Sequence, residues 1–109
     1  MSDKELEMLI MQLIMNSGNA RSLALEAVHE AKAGKLKDAE VKIDEAEQQL
    51  VTAHDIQTKL LFKEAQGEDF KVSLLMTHSQ DHLMNAIGTI DLAKEMIDLW
   101  KMFKMEGTK

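Results

Sequence analysis

Between Val72 and Ile90 only Asp81 carries a formal charge, and it stands in the run Thr77-His78-Ser79-Gln80-Asp81-His82-Leu83-Met84-Asn85. If that run is helical, His78 has Asp81 and His82 one turn away, so the three side chains share a patch that Asn85 extends. A neutral imidazole nitrogen is nucleophilic near neutral pH, so such a patch suits phosphoryl carriage. A neighbouring carboxylate or second imidazole would fix which ring nitrogen bears the proton.

Two other readings fit the same residues. The four polar side chains could simply hydrogen-bond one another at a subunit interface and fix its register. Left unpaired in an otherwise apolar helix, each would cost about 1–3 kcal/mol, which makes a purely structural cluster the less economical explanation. Alternatively, His78-Ser79-Gln80-Asp81-His82 has the H-x-x-[acid]-H form of an inverted zinc-protease motif, with Asp in place of Glu. A small metal-dependent hydrolase of that kind would need a third ligand from another element. The remaining histidines, His29 and His54, fall on segments that read as bundle helices, where a solvent-facing or capping role explains them; His54 has Gln57 and Thr58 as neighbours.

The elements that must present this patch follow from glycine punctuation. Gly34-Lys35 and Gly67-Glu68 each close one periodic segment and precede another, as helix C-terminal stops do. The chain therefore reads as all-α, a single domain over 1–109 built as an antiparallel three-helix bundle at 3–33, 36–66 and 69–104, with 105–109 as a frayed tail. The first segment carries a stripe from Leu6, Ile10 and Leu13 to Ala20, Ala24, Ala27 and Ala31, and a kink or short gap is expected at Asn16-Ser17-Gly18-Asn19 because Gly costs roughly 1 kcal/mol in a helix. The second repeats at intervals of three and four through Leu36, Ala39, Ile43, Ala46, Leu50, Ala53, Gln57 and Leu60, with Gln57 its only polar entry.

The third segment has a comparable seam through Val72, Leu75, Ser79, His82, Ala86, Thr89, Ala93, Met96, Trp100 and Phe103. Beside it runs a second stripe, Leu74, His78, Asp81, Asn85, Gly88, Leu92, Glu95 and Leu99, apolar at its ends and polar in its middle. With Met76, Leu83, Ile87, Ile90 and Ile97 on the remaining circumference, this helix is too apolar to be covered by two neighbours, and self-association through it is expected. The nine methionines are read mainly as core filling.

Composition narrows the class further. There is no proline and no cysteine, so disulfides, thiolate zinc sites and cysteine nucleophiles are out. The formal charge of −6 and the scattered basic residues disfavour nucleic-acid binding. No stretch is apolar for the ~20 residues of a membrane span and no signal peptide is evident, so a cytoplasmic protein without membrane insertion is expected.

The run Leu74-Leu75-Met76-Thr77-His78-Ser79-Gln80-Asp81-His82-Leu83-Met84-Asn85-Ala86 resembles the active-site helix of the lactose/cellobiose (chitobiose) enzyme IIA components of the bacterial sugar phosphotransferase system, whose core is H-x-Q-D-H-L-M. Asn16-Ser17-Gly18-Asn19-Ala20-Arg21-Ser22 and Ala53-His54-Asp55-Ile56-Gln57-Thr58 agree in order and spacing, so the resemblance covers about residues 6–104. Thr77 and Ser79 depart mildly from it, where Val or Met, and Ala or Gly, are expected.

The resemblance implies a homotrimer of three-helix subunits. It implies that the phosphocarrier HPr donates a phosphoryl group to Nε2 of His78, which passes it to a cysteine of enzyme IIB during uptake of a β-linked disaccharide. It implies that Asp81 of each subunit meets a shared divalent cation, usually Mg2+, at the trimer axis, an oxygen-ligated hard ion that would offset three converging carboxylates. His82 and Gln80 are given supporting roles, orienting His78 or the phosphate. The sugar itself is not legible, because the IIA component never touches it.

Overall fold

The computed structural model describes residues 1–107, with side chains through Lys104. Three long helices make up nearly all of it: α1 Asp3–Lys32, α2 Leu36–Ala65 and α3 Leu74–Gly107. They lie side by side in a rod of 60 × 20 × 19 Å. Partner numbers fall along one helix as they rise along its neighbour: Asn16 with Gln49 and Glu26 with Lys42 between α1 and α2, then Glu40 with Lys101, Glu47 with Lys94 and Gln57 with Gln80 between α2 and α3. Consecutive helices are thus antiparallel, as expected.

Both glycines stop their helices by the same device. After α1, Gly34 takes φ +84°, its N–H donates to the Ala31 carbonyl and the Lys35 N–H to the Glu30 carbonyl. After α2, Gly67 takes φ +100°, with its N–H on Glu64 and that of Glu68 on Lys63. These are Schellman closures, which need a left-handed residue one step past the helix end and so favour glycine. At the other end, the Ser2 hydroxyl accepts from the Glu5 N–H at 3.1 Å and caps α1.

Three expectations need correction. First, α1 runs unbroken through Asn16–Asn19, with no gap. Ser17 is fully buried and the Asn16 amide donates to Gln49 Oε1 at 2.7 Å, while the buried flanks Leu13, Ala20 and Ala24 hold the turn in place. Tertiary packing outweighs the local penalty of Gly18. Second, α3 begins at Leu74, five residues later than 69. The hydroxyl of Ser73 accepts from the Met76 N–H at 3.1 Å and caps the helix there, while Phe70 packs onto the cluster of Leu13, Ala53, Ile56, Leu60 and Leu83. At its far end α3 continues to Gly107, past 104; Thr108 and Lys109 of the expected tail lie outside the described residues.

Third, most of the methionines are not core filler. Met8, Met11, Met15, Met84, Met96 and Met102 are all exposed. The core is lined instead by alanine: Ala20, Ala24, Ala27 and Ala31 of α1 meet Ala39 and Ala46 of α2 and Ala86 and Ala93 of α3, together with Ile43, Ile90 and Ile97. Small alanines and branched aliphatic side chains fill the interior, and the exposed methionines stand on the outward faces of their helices. The inward line of α3 is correspondingly Ser79, Leu83, Ala86, Ile90, Ala93 and Ile97, sharing every second position with the expected seam and replacing His82, Thr89 and Met96 by the larger branched neighbours.

The second stripe of α3 is uncovered along its whole length: Leu74, His78, Asp81, Asn85, Gly88, Leu92, Glu95 and Leu99 all face solvent in the protomer. At the end of the rod remote from His78, Trp100 stacks on Phe103 with ring centroids 5.8 Å apart, over an apolar groove that Val28 and Ala31 help to line. Among the described residues, no helix is long and apolar enough to cross a membrane.

Candidate active site

Ser73 sets the position of the site. Because the helix starts at Leu74, His78 stands in its second turn, one turn on from the exposed Leu74. Val72, in the segment leading into the cap, is 90% exposed and Leu74 87%. The imidazole is therefore presented in the open, beside bare aliphatic side chains.

One turn further on, His82 leans back onto it. The two Nε2 atoms are 3.1 Å apart and the rings meet edge to face, centroids 4.4 Å apart at 87°. His78 is exposed and His82 half-buried, so the inner ring backs the outer one. At that separation one Nε2 carries a proton and the other offers a lone pair. The pair can hold one proton between two nitrogens, and either ring can act as the acceptor of a group brought from outside.

The other two expected site residues are placed differently. Gln80 turns to α2, where its Oε1 accepts from Gln57 Nε2 at 2.6 Å and its own amide lies 4.0 Å from Met76 Sδ. It does not touch His78 and can act on it only through the helix. Asp81 is exposed, and among the described residues no hydrogen bond or ion pair joins it to His78 or His82. The expected three-residue patch is thus a histidine pair with a carboxylate standing apart on the uncovered stripe.

Beneath the pair, Ser79 is fully buried and its hydroxyl donates to the Met76 carbonyl at 2.6 Å, back-bonding to the turn that carries His78. This hydroxyl points into the helix backbone and adds nothing to the exposed face. Among the described residues no three or more His, Asp or Glu side chains gather as a metal cluster, so the H-x-x-D-H spacing is not completed to a catalytic zinc set within one chain. His29 and His54 are both exposed on the surface of their helices.

Sequence reasoning missed the part played by Ser73. The signal was available, a serine directly before an apolar run, but the glycine at 67 drew the helix start forward. It marked Gln57 as the polar entry on its seam without its partner, which the antiparallel register supplies as Gln80.

Comparison with known proteins bears on the same residues. The family model described as "PTS system, Lactose/Cellobiose specific IIA subunit" matches residues 8–101. The lichenan-specific phosphotransferase enzyme IIA component of Bacillus subtilis is 44% identical over 99 residues, covering 91% of this chain and 90% of that protein. Among solved structures, the cellobiose-specific enzyme IIA from Bacillus anthracis superposes with a TM-score of 0.90 at 46% identity, over 96% of this chain and 94% of that one. The IIA(chitobiose) chain of an IIA–HPr complex from the N,N'-diacetylchitobiose branch of the Escherichia coli phosphotransferase system superposes with a TM-score of 0.80 at 41% identity, over 91% of this chain and 96% of that one.

Proposed function

The chain belongs to the lactose/cellobiose-specific IIA family of the phosphotransferase system, and from that premise we propose that His78 takes a phosphoryl group from HPr on Nε2 and passes it to a cysteine of an enzyme IIB. The observation that carries this reading is the exposed His78 ring at the start of α3, its Nε2 3.1 Å from that of His82. A relay needs its nucleophile reachable by two partners in turn, and an imidazole in the second turn of a capped helix, rimmed by Val72 and Leu74, offers a small apolar surface for brief docking.

The chemistry follows from the two rings. With the shared proton on His82, His78 keeps the Nε2 lone pair and attacks phosphorus as the bond to the donor nitrogen breaks. His78 gives up its Nδ1 proton as the donor ring takes one, so a proton travels opposite to the phosphoryl group. The His82 Nε2–H is then available to a phosphoryl oxygen; in the second transfer the cysteine sulfur bonds phosphorus as the Nε2–P bond of His78 breaks, and the proton given up by the thiol is matched by one regained at Nδ1 of His78. Gln80, tied to Gln57, serves as a positioning residue that holds this turn of α3 against α2.

The uncovered stripe of α3 supports assembly as a homotrimer, with copies meeting along Leu92 and Leu99. Asp81 on the same stripe is our reading of the metal ligand: one exposed carboxylate per chain offers oxygen donors suited to a hard ion such as Mg2+. When bound, such an ion would offset the like charge of converging carboxylates. The relatives named above are labelled for lichenan, cellobiose and chitobiose, so similarity in this component leaves the β-linked sugar open.

Incubation with phosphoenolpyruvate, enzyme I and HPr tests the assignment. Wild-type protein is expected to gain an acid-labile, base-stable phosphate, and His78→Ala none. Label persisting on His78→Ala overturns it, and a folded wild type without label would leave a non-catalytic helical adaptor.

A further inference from the structure

The separation of the two imidazoles has a second chemical meaning. Two nitrogens bound to one tetrahedral zinc ion at 2.0–2.1 Å lie about 3.3 Å apart, close to the spacing held here by the bare protein. His78 and His82 already face each other through Nε2 at 3.1 Å, on consecutive turns of one rigid helix, with the outer ring open to solvent. Little reorganisation separates this arrangement from a bidentate chelate. The donor set is purely imidazole nitrogen, which suits borderline ions and is poorly matched to magnesium or calcium.

We propose that His78 and His82 form a chelate for a borderline divalent cation, zinc above all, and that filling it stops the chain from accepting phosphate. The inhibitory half of this rests on the reading of His78 as the phosphoryl acceptor. Ligation uses the Nε2 lone pairs of both rings, and the proton that lies between them in the metal-free pair moves to Nδ1 of the ring that held it. The lone pair that would attack phosphorus is then engaged, and the His82 N–H that would meet a phosphoryl oxygen is gone. Within one chain no third protein donor gathers there among the described residues, so the remaining positions on the ion are open to water. Binding is accordingly reversible, a brake governed by free zinc. Phosphorylated His78 has no Nε2 lone pair left, so the phosphorylated chain is the form that zinc cannot hold.

Calorimetry with zinc chloride on the full chain, alongside the Hε1 resonances of the four histidines, tests this directly. Saturable uptake of one ion per chain is expected, moving the His78 and His82 signals and leaving those of His29 and His54. Measured in excess magnesium, which fills the carboxylate site at Asp81, binding should persist in wild type and be lost in His82→Ala and in His82→Gln, each checked for helicity by circular dichroism. In the transfer assay, zinc should suppress labelling of wild type and EDTA should restore it. Absence of saturable binding, retention of zinc by folded His82 variants, displacement by magnesium, or full labelling at saturating zinc would each overturn the proposal. Failure of zinc-free wild type to take phosphate would instead remove the functional reading, while the calorimetric result judges the chelate by itself.

Discussion

His82 is the residue whose role depends most on the coordinates. One turn from His78 in sequence, it could have faced the core or solvent; it lies half-buried behind the outer ring with Nε2 3.1 Å away. If its N–H meets the phosphoryl oxygen, His82→Ala should slow transfer from phosphorylated HPr by about 10- to 100-fold, the worth of a hydrogen bond to a charged group, ~1.5–3 kcal/mol. Rapid-quench transfer rates measure this, and an unchanged rate would contradict the assignment. The pairing of offsets three and four on a helix was readable from spacing alone, which is why His78 and His82 could be named together. The side on which Gln80 sits was not readable that way. It stands two residues from His78, on the far side of the helix, and only the register against α2 reveals that Gln57 claims it. Asp81 shows the complementary limit: its offset allowed contact with His78, yet among the described residues no hydrogen bond or ion pair joins it to either ring.

At the scale of elements, the two loops are the most faithfully encoded part of the molecule. Gly34 and Gly67 sit where a left-handed residue is obligatory, and a Cβ at Gly67 meets nothing within 4 Å, so its replacement is penalised by torsion alone. Gly67→Ala should therefore cost about 1–2 kcal/mol, a fall in melting temperature of about 4–8 °C for each kcal/mol in a domain of this size. Thermal melts followed by circular dichroism would show it, and a neutral result would mean that the corner has another way to close. The helix start at Leu74 was less legible, because it depends on competition between a cap at Ser73 and the pull of Phe70 into the core, and the second of these is a tertiary effect. The same holds for α1, where a locally poor tetrapeptide stays helical because its neighbours are buried on both sides.

For the whole molecule, the excess of apolar surface on the third helix was evident in the sequence, and the protomer leaves that excess in view as the exposed line through Leu92 and Leu99. Asp81 lies on that line, and three copies of it brought together would repel. Asp81→Leu should consequently hold a trimer without added metal, whereas wild type should loosen when divalent ions are chelated. Sedimentation equilibrium in EDTA distinguishes the two, and dissociation of the leucine variant to monomers would contradict the placement of this carboxylate at the shared axis. The choice of alanine for the interior was the harder feature to foresee. Helical spacing marks which positions turn inward but not which side chain sizes fill them, and six methionines stand at positions that turn outward.

The placing of Trp100 at the far end of the rod gives experimenters a quiet vantage point. It is the chain's only tryptophan, and it stands 22 residues on from His78, roughly 33 Å along the helix. Its emission therefore answers to unfolding, or to whatever packs over Phe103, while a donor or acceptor visiting the other tip leaves it undisturbed. Changes seen by that indole during phosphorylation would have to arrive through the helix itself, which turns an ordinary fluorimeter into a gauge of how stiff α3 is.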